Sequence, residues 1–354
     1  MPLSSFLVAI WFCQLTLLAA LPSIAENAAR LEVPLYRNTV VRFAGVEEAQ
    51  MLITARDDYI AAMTPFERQS ILKSLKPVSN EELLDFLSRQ VLDWDDGEIE
   101  RNTEIIAGLA VKLQKWDLRL PGVIYLVRTT GATIDCFFHS GCRVFYTRSN
   151  AIFIPPPVSF FGMFTCDPIS EELLAHELFH ILTRYNPELR DALYAIAGFH
   201  PCPGGILWPE KLLPRMVVNP DAPWNLHYID ITYQNQPVRA VPVLYAYKDY
   251  AGGDLYEYFQ SGFAVIEPEG ADFRCRMESG LPVILQAGQM ENFYEQIGRN
   301  TDYIIQPEEL LAVNFQMMVQ ESPEVFTPRI IEEMARLLTP AGYSSVPGWM
   351  LYSP

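Results

Sequence analysis

The segment 176–180 reads His-Glu-Leu-Phe-His within an apolar run, and it constrains this chain more than any other feature. On a helix, residues four apart share a face, so His176 and His180 would point the same way. Two such imidazoles can bind one metal ion, and Glu177 can reach a water on that ion. Only five histidines occur in 354 residues, so chance rarely produces this spacing. The segment therefore predicts half of a metal site on a helix, and a hydrogen-bonded pair of core histidines is the alternative.

A catalytic zinc ion usually has three protein ligands and one open position. Thr183 and Asn186 stand where the metzincin pattern has Gly and His, which excludes that subclass. His139, His200 and His227 have no supporting pattern.

Carboxylates are the remaining candidates for the third ligand. Glu308 and Glu309 lie in the first turn of a helix predicted over 308–320 and opened by Pro307. A carboxylate there can point into a cleft while the helix packs on the core. The alternative is that both glutamates only favour the helix N-terminus electrostatically.

His-Glu-x-x-His paired with a distant Glu resembles the gluzincin zinc peptidases. The stretch 309–315, Glu-Leu-Leu-Ala-Val-Asn-Phe, is similar to an element of the lethal-factor-like peptidases. The longer stretch 307–315 also resembles a stretch of uncharacterised bacterial proteins predicted to be metallopeptidases. The same proteins resemble this chain at 219–223, Asn-Pro-Asp-Ala-Pro.

This resemblance implies a Zn²⁺ site made by His176, His180 and Glu309, with Glu309 rather than Glu308 as ligand and Glu177 as the general base. The chain departs from the family at Val313, where a second acidic residue often orients a histidine ligand.

Asn314 or another group would then have to replace that acidic residue. The resemblance also implies Tyr303 as the group that stabilises the oxyanion, because related enzymes have a Tyr upstream of their Glu. An ordinary core aromatic is the alternative for Tyr303, and Tyr228 and His227 are further candidate donors.

Residues 1–25 carry no charged side chain, and 6–21 are mostly apolar. Ser23 and Ala25 fit the small-residue rule for signal cleavage. We therefore expect a signal peptide at 1–25 and a secreted or periplasmic protein. An uncleaved membrane anchor is the alternative, although the apolar run is short for a full span.

The rest of the chain changes character near residue 121. Residues 26–120 predict a helical N-terminal region, and strands are predicted from 122 onward. The prolines at 155–157 suit an edge position for the strand 151–154. We expect an α+β fold whose residues 121–354 form a zincin-like catalytic domain: a small mixed sheet with an edge strand, the His-Glu-x-x-His helix and a second ligand helix.

Export would permit disulfide bonds. Five cysteines follow the predicted signal. Cys136 and Cys142 flank a turn-like loop and are the first pair expected, while Cys166 with Cys202 is a weaker expectation.

The function implied is that of a zinc metallopeptidase acting on a peptide or protein substrate. The formal net charge of −17 excludes a nucleic-acid partner, which would require a basic surface. Membrane contact is expected only if the N-terminal segment stays uncleaved. The alternatives are a zinc hydrolase of a non-peptide amide, a non-catalytic binding protein on a zincin scaffold, and a peptidase in which 26–120 is an inhibitory pro-region.

Overall fold

The computed structural model describes residues 32–136, 143–160, 163–166, 169–224 and 226–340. The predicted signal peptide, His139 and Cys142 lie outside these residues. Within them, no helix combines the length and apolarity needed to cross a bilayer.

The described chain has a mixed α+β fold, as the sequence predicts. Its α-helices span Val46–Ile53, Asp58–Ala62, Pro65–Leu72, Asn80–Ser88, Asp96–Leu113, Glu171–Tyr185, Pro187–Ile196, Phe293–Ile297, Pro307–Gln320 and Pro328–Leu338. We call Glu171–Tyr185 the motif helix and Pro307–Gln320 the glutamate helix.

A five-stranded mixed sheet lies next to the motif helix. Its strands follow the order Glu32–Tyr36, Thr39–Phe43, Val123–Arg128, Ala151–Ile154 and Tyr146–Arg148. The central pairs are parallel and the two outer pairs are antiparallel.

The expectation that Ala151–Ile154 is an edge strand is wrong. The turn at Ser149 and Asn150 folds Tyr146–Arg148 back beside it, so Ala151–Ile154 has a partner on each side and Tyr146–Arg148 forms the edge. The prolines at 155–157 follow the strand. Their missing backbone N–H groups therefore cost this sheet no hydrogen bond.

The first described residues belong to the same sheet rather than to a separate helical unit. Thr39–Phe43 pairs in parallel with Val123–Arg128, so a boundary at residue 121 would cut through one sheet. The helices predicted between 46 and 116 are present, with these two strands in front of them.

A second sheet is mainly antiparallel and contains a hairpin of His227–Tyr233 with Gln236–Ala246. Its strands follow the order Phe199–Pro201, His227–Tyr233, Gln236–Ala246, Phe259–Glu269, Asp272–Cys275 and Ile206–Leu207, with Ile284–Leu285 also paired to Phe259–Glu269. Two small hairpins complete the strands: Val158–Phe160 with Met163–Cys166, and Met277–Glu278 with Leu281–Pro282.

The main apolar core joins both sheets to the motif and glutamate helices. Phe179 on the motif helix packs against Phe315 on the glutamate helix, with ring centroids 5.6 Å apart. This packing holds the two candidate ligand segments against each other, although about 130 residues separate them in sequence.

Candidate metal centre

The motif helix begins at Glu171. An N-cap at Asp167 followed by Pro168, which the sequence also predicts, lies outside the described residues. The Ser170 hydroxyl caps the helix by accepting a hydrogen bond from the Leu173 amide at 3.2 Å. His180 is completely buried and His176 is slightly exposed, so this face of the helix points into the protein.

The glutamate helix brings two carboxylates to the same place. Pro307 occupies its first turn, and Glu308 and Glu309 are 1% and 2% exposed. Two ionisable groups buried this deeply need specific partners, because an unpaired buried charge is costly.

His176, His180 and Glu309 converge, as the sequence predicts for a three-ligand site. Glu309 Oε2 lies 3.2 Å from His176 Nε2 and 3.8 Å from His180 Nε2. Ligands held about 2.1 Å from a tetrahedral zinc ion are separated by roughly 3.4 Å, so both distances suit a common ion.

His180 Nε2 supplies the test of whether a cation fits these residues. This atom is buried and has no hydrogen-bond partner within the described part of the chain. A direct hydrogen bond could account for the His176–Glu309 contact but leaves His180 Nε2 unsatisfied. A metal ion would satisfy all three groups.

The other ring nitrogen of His180 is held by Glu308. Glu308 Oε1 lies 2.8 Å from His180 Nδ1 and accepts a hydrogen bond from the Thr183 hydroxyl at 2.7 Å. Glu308 Oε2 accepts a further hydrogen bond from the Tyr194 hydroxyl. In the tautomer whose Nδ1 donates to Glu308, Nε2 is the nitrogen free to bind a metal ion on the side of Glu309.

Glu308 therefore makes the kind of histidine contact that the resemblance implies for an acidic side chain at position 313. Asn314, the expected substitute, is buried elsewhere: its amide donates to Leu310 O at 2.7 Å and accepts from Asn300 at 2.7 Å. The sequence offered Glu308 and Glu309 as rival candidates for one ligand, whereas in the structure each contacts a different histidine nitrogen.

Asn219 positions the second oxygen of Glu309. Its side-chain amide donates to Glu309 Oε1 at 2.5 Å and to Gln306 at 2.9 Å. The stretch 219–223 thus contributes a side chain to the site. Its resemblance to other sequences did not indicate where it would lie.

The histidines and carboxylates of this cluster shift one another's pKa values. Burial alone would lower the pKa of His180, but Asp221, Glu309 and Glu308 outweigh it and raise that pKa to about 10. Burial would raise the pKa of Glu309, but His180 and His176 lower it to about 2. The carboxylates therefore favour a positive charge at this position, which is also what a metal ion supplies.

Glu177 is buried beside the three candidate ligands. Its Oε2 accepts a hydrogen bond from the Thr147 hydroxyl on the edge strand at 2.8 Å, and burial raises its pKa. Asp221 lies close by: ligand atoms of Glu177, His180 and Asp221 are all within 4.8 Å of one another. The Thr147 amide donates to Asp221 at 2.6 Å, so Thr147 holds both acids.

Tyr303 lies within electrostatic range of the site. Burial raises the pKa of its hydroxyl well above the ordinary value, and Glu309, Asp221 and Glu177 raise it further. The other candidate donors are engaged elsewhere. His227 lies 3.0 Å from Asp191, and the Tyr228 ring packs near His200 and Phe273.

Among the cysteines that the structure describes, none belongs to the candidate metal centre. Cys136 is disulfide-bonded; because Cys142 lies outside the described residues, its pairing with Cys136 stays a prediction. The expected Cys166–Cys202 pair is wrong, since Cys202 is a free thiol packed in an apolar cluster under the second sheet.

Glu67 connects the N-terminal helices to the loop that carries Asn219. It caps its own helix at Thr64 and accepts a hydrogen bond from the Val218 amide at 2.8 Å. Burial raises its pKa to about 7, although these hydrogen bonds oppose the shift.

This shift predicts a pH-dependent contribution to stability. The folded pKa of Glu67 exceeds the unfolded value near 4.5, so the contribution is complete below about pH 4.5 and is lost as pH rises through about 7. We expect the wild type to lose about 2–3 kcal/mol of unfolding free energy across this window relative to Glu67→Gln. Urea denaturation at pH 5 and pH 8 would measure it, and equal losses in both proteins would contradict it.

No family model, curated protein or solved structure matches this chain. The site is therefore interpreted from its own geometry and chemistry.

Proposed function

We propose that this chain is a zinc-dependent metallopeptidase with a zincin-like active site. The observation that carries the proposal is the convergence of His176, His180 and Glu309, together with a buried His180 Nε2 that has no hydrogen-bond partner among the residues the structure describes. Glu177 adjoins this cluster, where a general base is required.

Zinc held by these three residues would supply a Lewis acid and lower the pKa of a water toward about 7. Glu177 accepts the proton of the attacking water and delivers it to the leaving amine. The Thr147 hydroxyl fixes one oxygen of Glu177, so the other is available for proton transfer. Tyr303 is the proposed donor to the developing oxyanion.

The edge strand Tyr146–Arg148 suits an extended substrate better than Ala151–Ile154, which is paired on both sides. A peptide adding to this edge would compete with Asp221 for the Thr147 amide. We therefore propose a peptide or protein as the substrate; secretion and the absence of a nucleic-acid partner remain predictions from sequence.

Thr147→Val tests the positioning of Glu177 by removing the hydroxyl while keeping the shape of the side chain. A hydrogen bond to a charged group contributes about 1.5–3 kcal/mol, so we expect a loss of kcat of roughly 10- to 100-fold with unchanged zinc affinity. Thr147→Ser retains the hydroxyl and should stay near wild type. An unaltered kcat in Thr147→Val would refute this role.

Metal removal tests the function itself. We expect the zinc-loaded protein to cleave members of a peptide library, the chelated protein to cleave none, and added zinc to restore cleavage, with new termini detected by mass spectrometry. N-acylated amino sugars in a parallel assay test the hydrolase of a non-peptide amide. Cleavage of those compounds alone would replace the peptidase proposal, and zinc binding without any hydrolysis would favour a non-catalytic protein.

A further inference from the structure

A second cleft lies at the carboxyl ends of the parallel strands Val123–Arg128 and Ala151–Ile154. Its volume is about 300 Å³, which is at the lower end of the size range of small-molecule sites. Carboxyl ends of parallel strands are common locations for ligands. The walls are largely apolar and include Trp94, Phe145 and Ile169.

The side-chain amide of Asn102 is a polar group in this largely apolar cleft. It lines the cleft from the helix Asp96–Leu113 and is only 7% exposed. Its side chain makes no hydrogen bond to any residue in the described ranges, although neighbouring polar groups are paired. Arg128, for example, donates to Glu98 at 2.9 Å and to Asp93 O at 2.9 Å. The polar atoms of Asn102 are not among the fully buried side-chain atoms that lack a partner, so they reach the cleft and can pair with a ligand group there.

The charge of the cleft favours an anion. Arg128 and Glu98 form an ion pair and offset each other. Arg101 also lines the cleft and forms no ion pair within the described part of the chain. Arg101 is exposed and thus offers the cleft a guanidinium that no ion pair within these residues occupies, next in sequence to Asn102.

We propose that this cleft binds an apolar group that carries a carboxylate. The apolar walls receive the hydrocarbon part, while the Asn102 amide and the Arg101 guanidinium donate hydrogen bonds to the carboxylate. A free carboxylic acid and the C-terminal residue of a peptide share this chemistry. A bound metal is not required, because no residue that lines the cleft belongs to the candidate metal centre.

Calorimetry on the full chain, with and without zinc, tests the proposal using octanoate, N-acetylphenylalanine and N-acetylphenylalaninamide. We expect at least one carboxylate to bind equally well in both forms, and the amide to bind at least about 10-fold more weakly than its acid. Tighter binding of octanoate identifies a free acid as the ligand, and tighter binding of N-acetylphenylalanine identifies a peptide terminus.

Variants localise the binding. Arg101→Gln and Asn102→Leu should each weaken carboxylate binding about 10-fold, whereas Arg89→Gln, an exposed arginine outside the cleft, should not change it. Circular dichroism checks folding, and Asn102→Asp, which keeps the size but repels a carboxylate, replaces Asn102→Leu if that variant unfolds. Equal binding of acid and amide, no binding of either carboxylate, or unchanged affinity in the cleft variants would overturn the proposal. Because zinc-free protein is used, loss of the peptidase function would not affect this result.

Discussion

Glu177→Gln is expected to reduce kcat for peptide hydrolysis by roughly 10³-fold while zinc remains bound. Glutamine keeps the size of the side chain and can still accept the Thr147 hydrogen bond, but it cannot take a proton from water. The proposed ligands are His176, His180 and Glu309 and do not include Glu177, so zinc affinity should change little; a large loss of zinc would instead favour the second group, Glu177 with His180 and Asp221. Kinetics and zinc content measured on one sample separate the two effects.

The matched control is Glu172→Gln, on the same helix but outside the described cluster. It should leave kcat and zinc content unchanged. If Glu177→Gln keeps wild-type activity with zinc bound, Glu177 is not the base and the proposed mechanism fails.

The second large effect concerns the two adjacent glutamates. Glu309→Gln removes a proposed ligand, so we expect zinc to fall below one ion per chain. Glu308→Gln leaves all three ligands but weakens the hold on His180 Nδ1, so we expect zinc affinity to fall by about 10- to 100-fold. Competition with a chromophoric chelator measures both.

Glu333→Gln, on the helix Pro328–Leu338, serves as the control and should bind zinc like the wild type. A larger loss in Glu308→Gln than in Glu309→Gln would exchange the assigned roles of the two glutamates. If both variants bind zinc as tightly as the wild type, the glutamate helix does not contribute to a zinc site.

Local patterns in the sequence predicted the two helices at the metal centre well. The His-Glu-x-x-His spacing gives its shared face directly, and Pro307 with the following apolar run predicts the glutamate helix. The position of the edge strand was predicted incorrectly, because proline ends a strand without stating which neighbours it has. The strands Glu32–Tyr36 and Thr39–Phe43 were not predicted, since pairing with Val123–Arg128 is a long-range property.

The parts of the site that the sequence did not predict are the groups that hold the ligands. Thr147, Tyr194 and Asn219 have no distinctive local pattern, and each reaches the cluster only through tertiary packing. The sequence indicates Glu308 as a possible ligand. Only the fold shows that Glu308 contacts Nδ1 of His180, whereas Glu309 lies near Nε2. Ligand candidates can be read from spacing, whereas the side chains that orient them require coordinates.

The most direct measurement is a crystal structure of the zinc-loaded protein, with anomalous data collected on both sides of the zinc absorption edge. We expect one anomalous peak, about 2.0–2.2 Å from His176 Nε2, His180 Nε2 and a Glu309 oxygen. A peak at another set of residues, or no peak in protein supplied with zinc, would contradict the proposed metal centre.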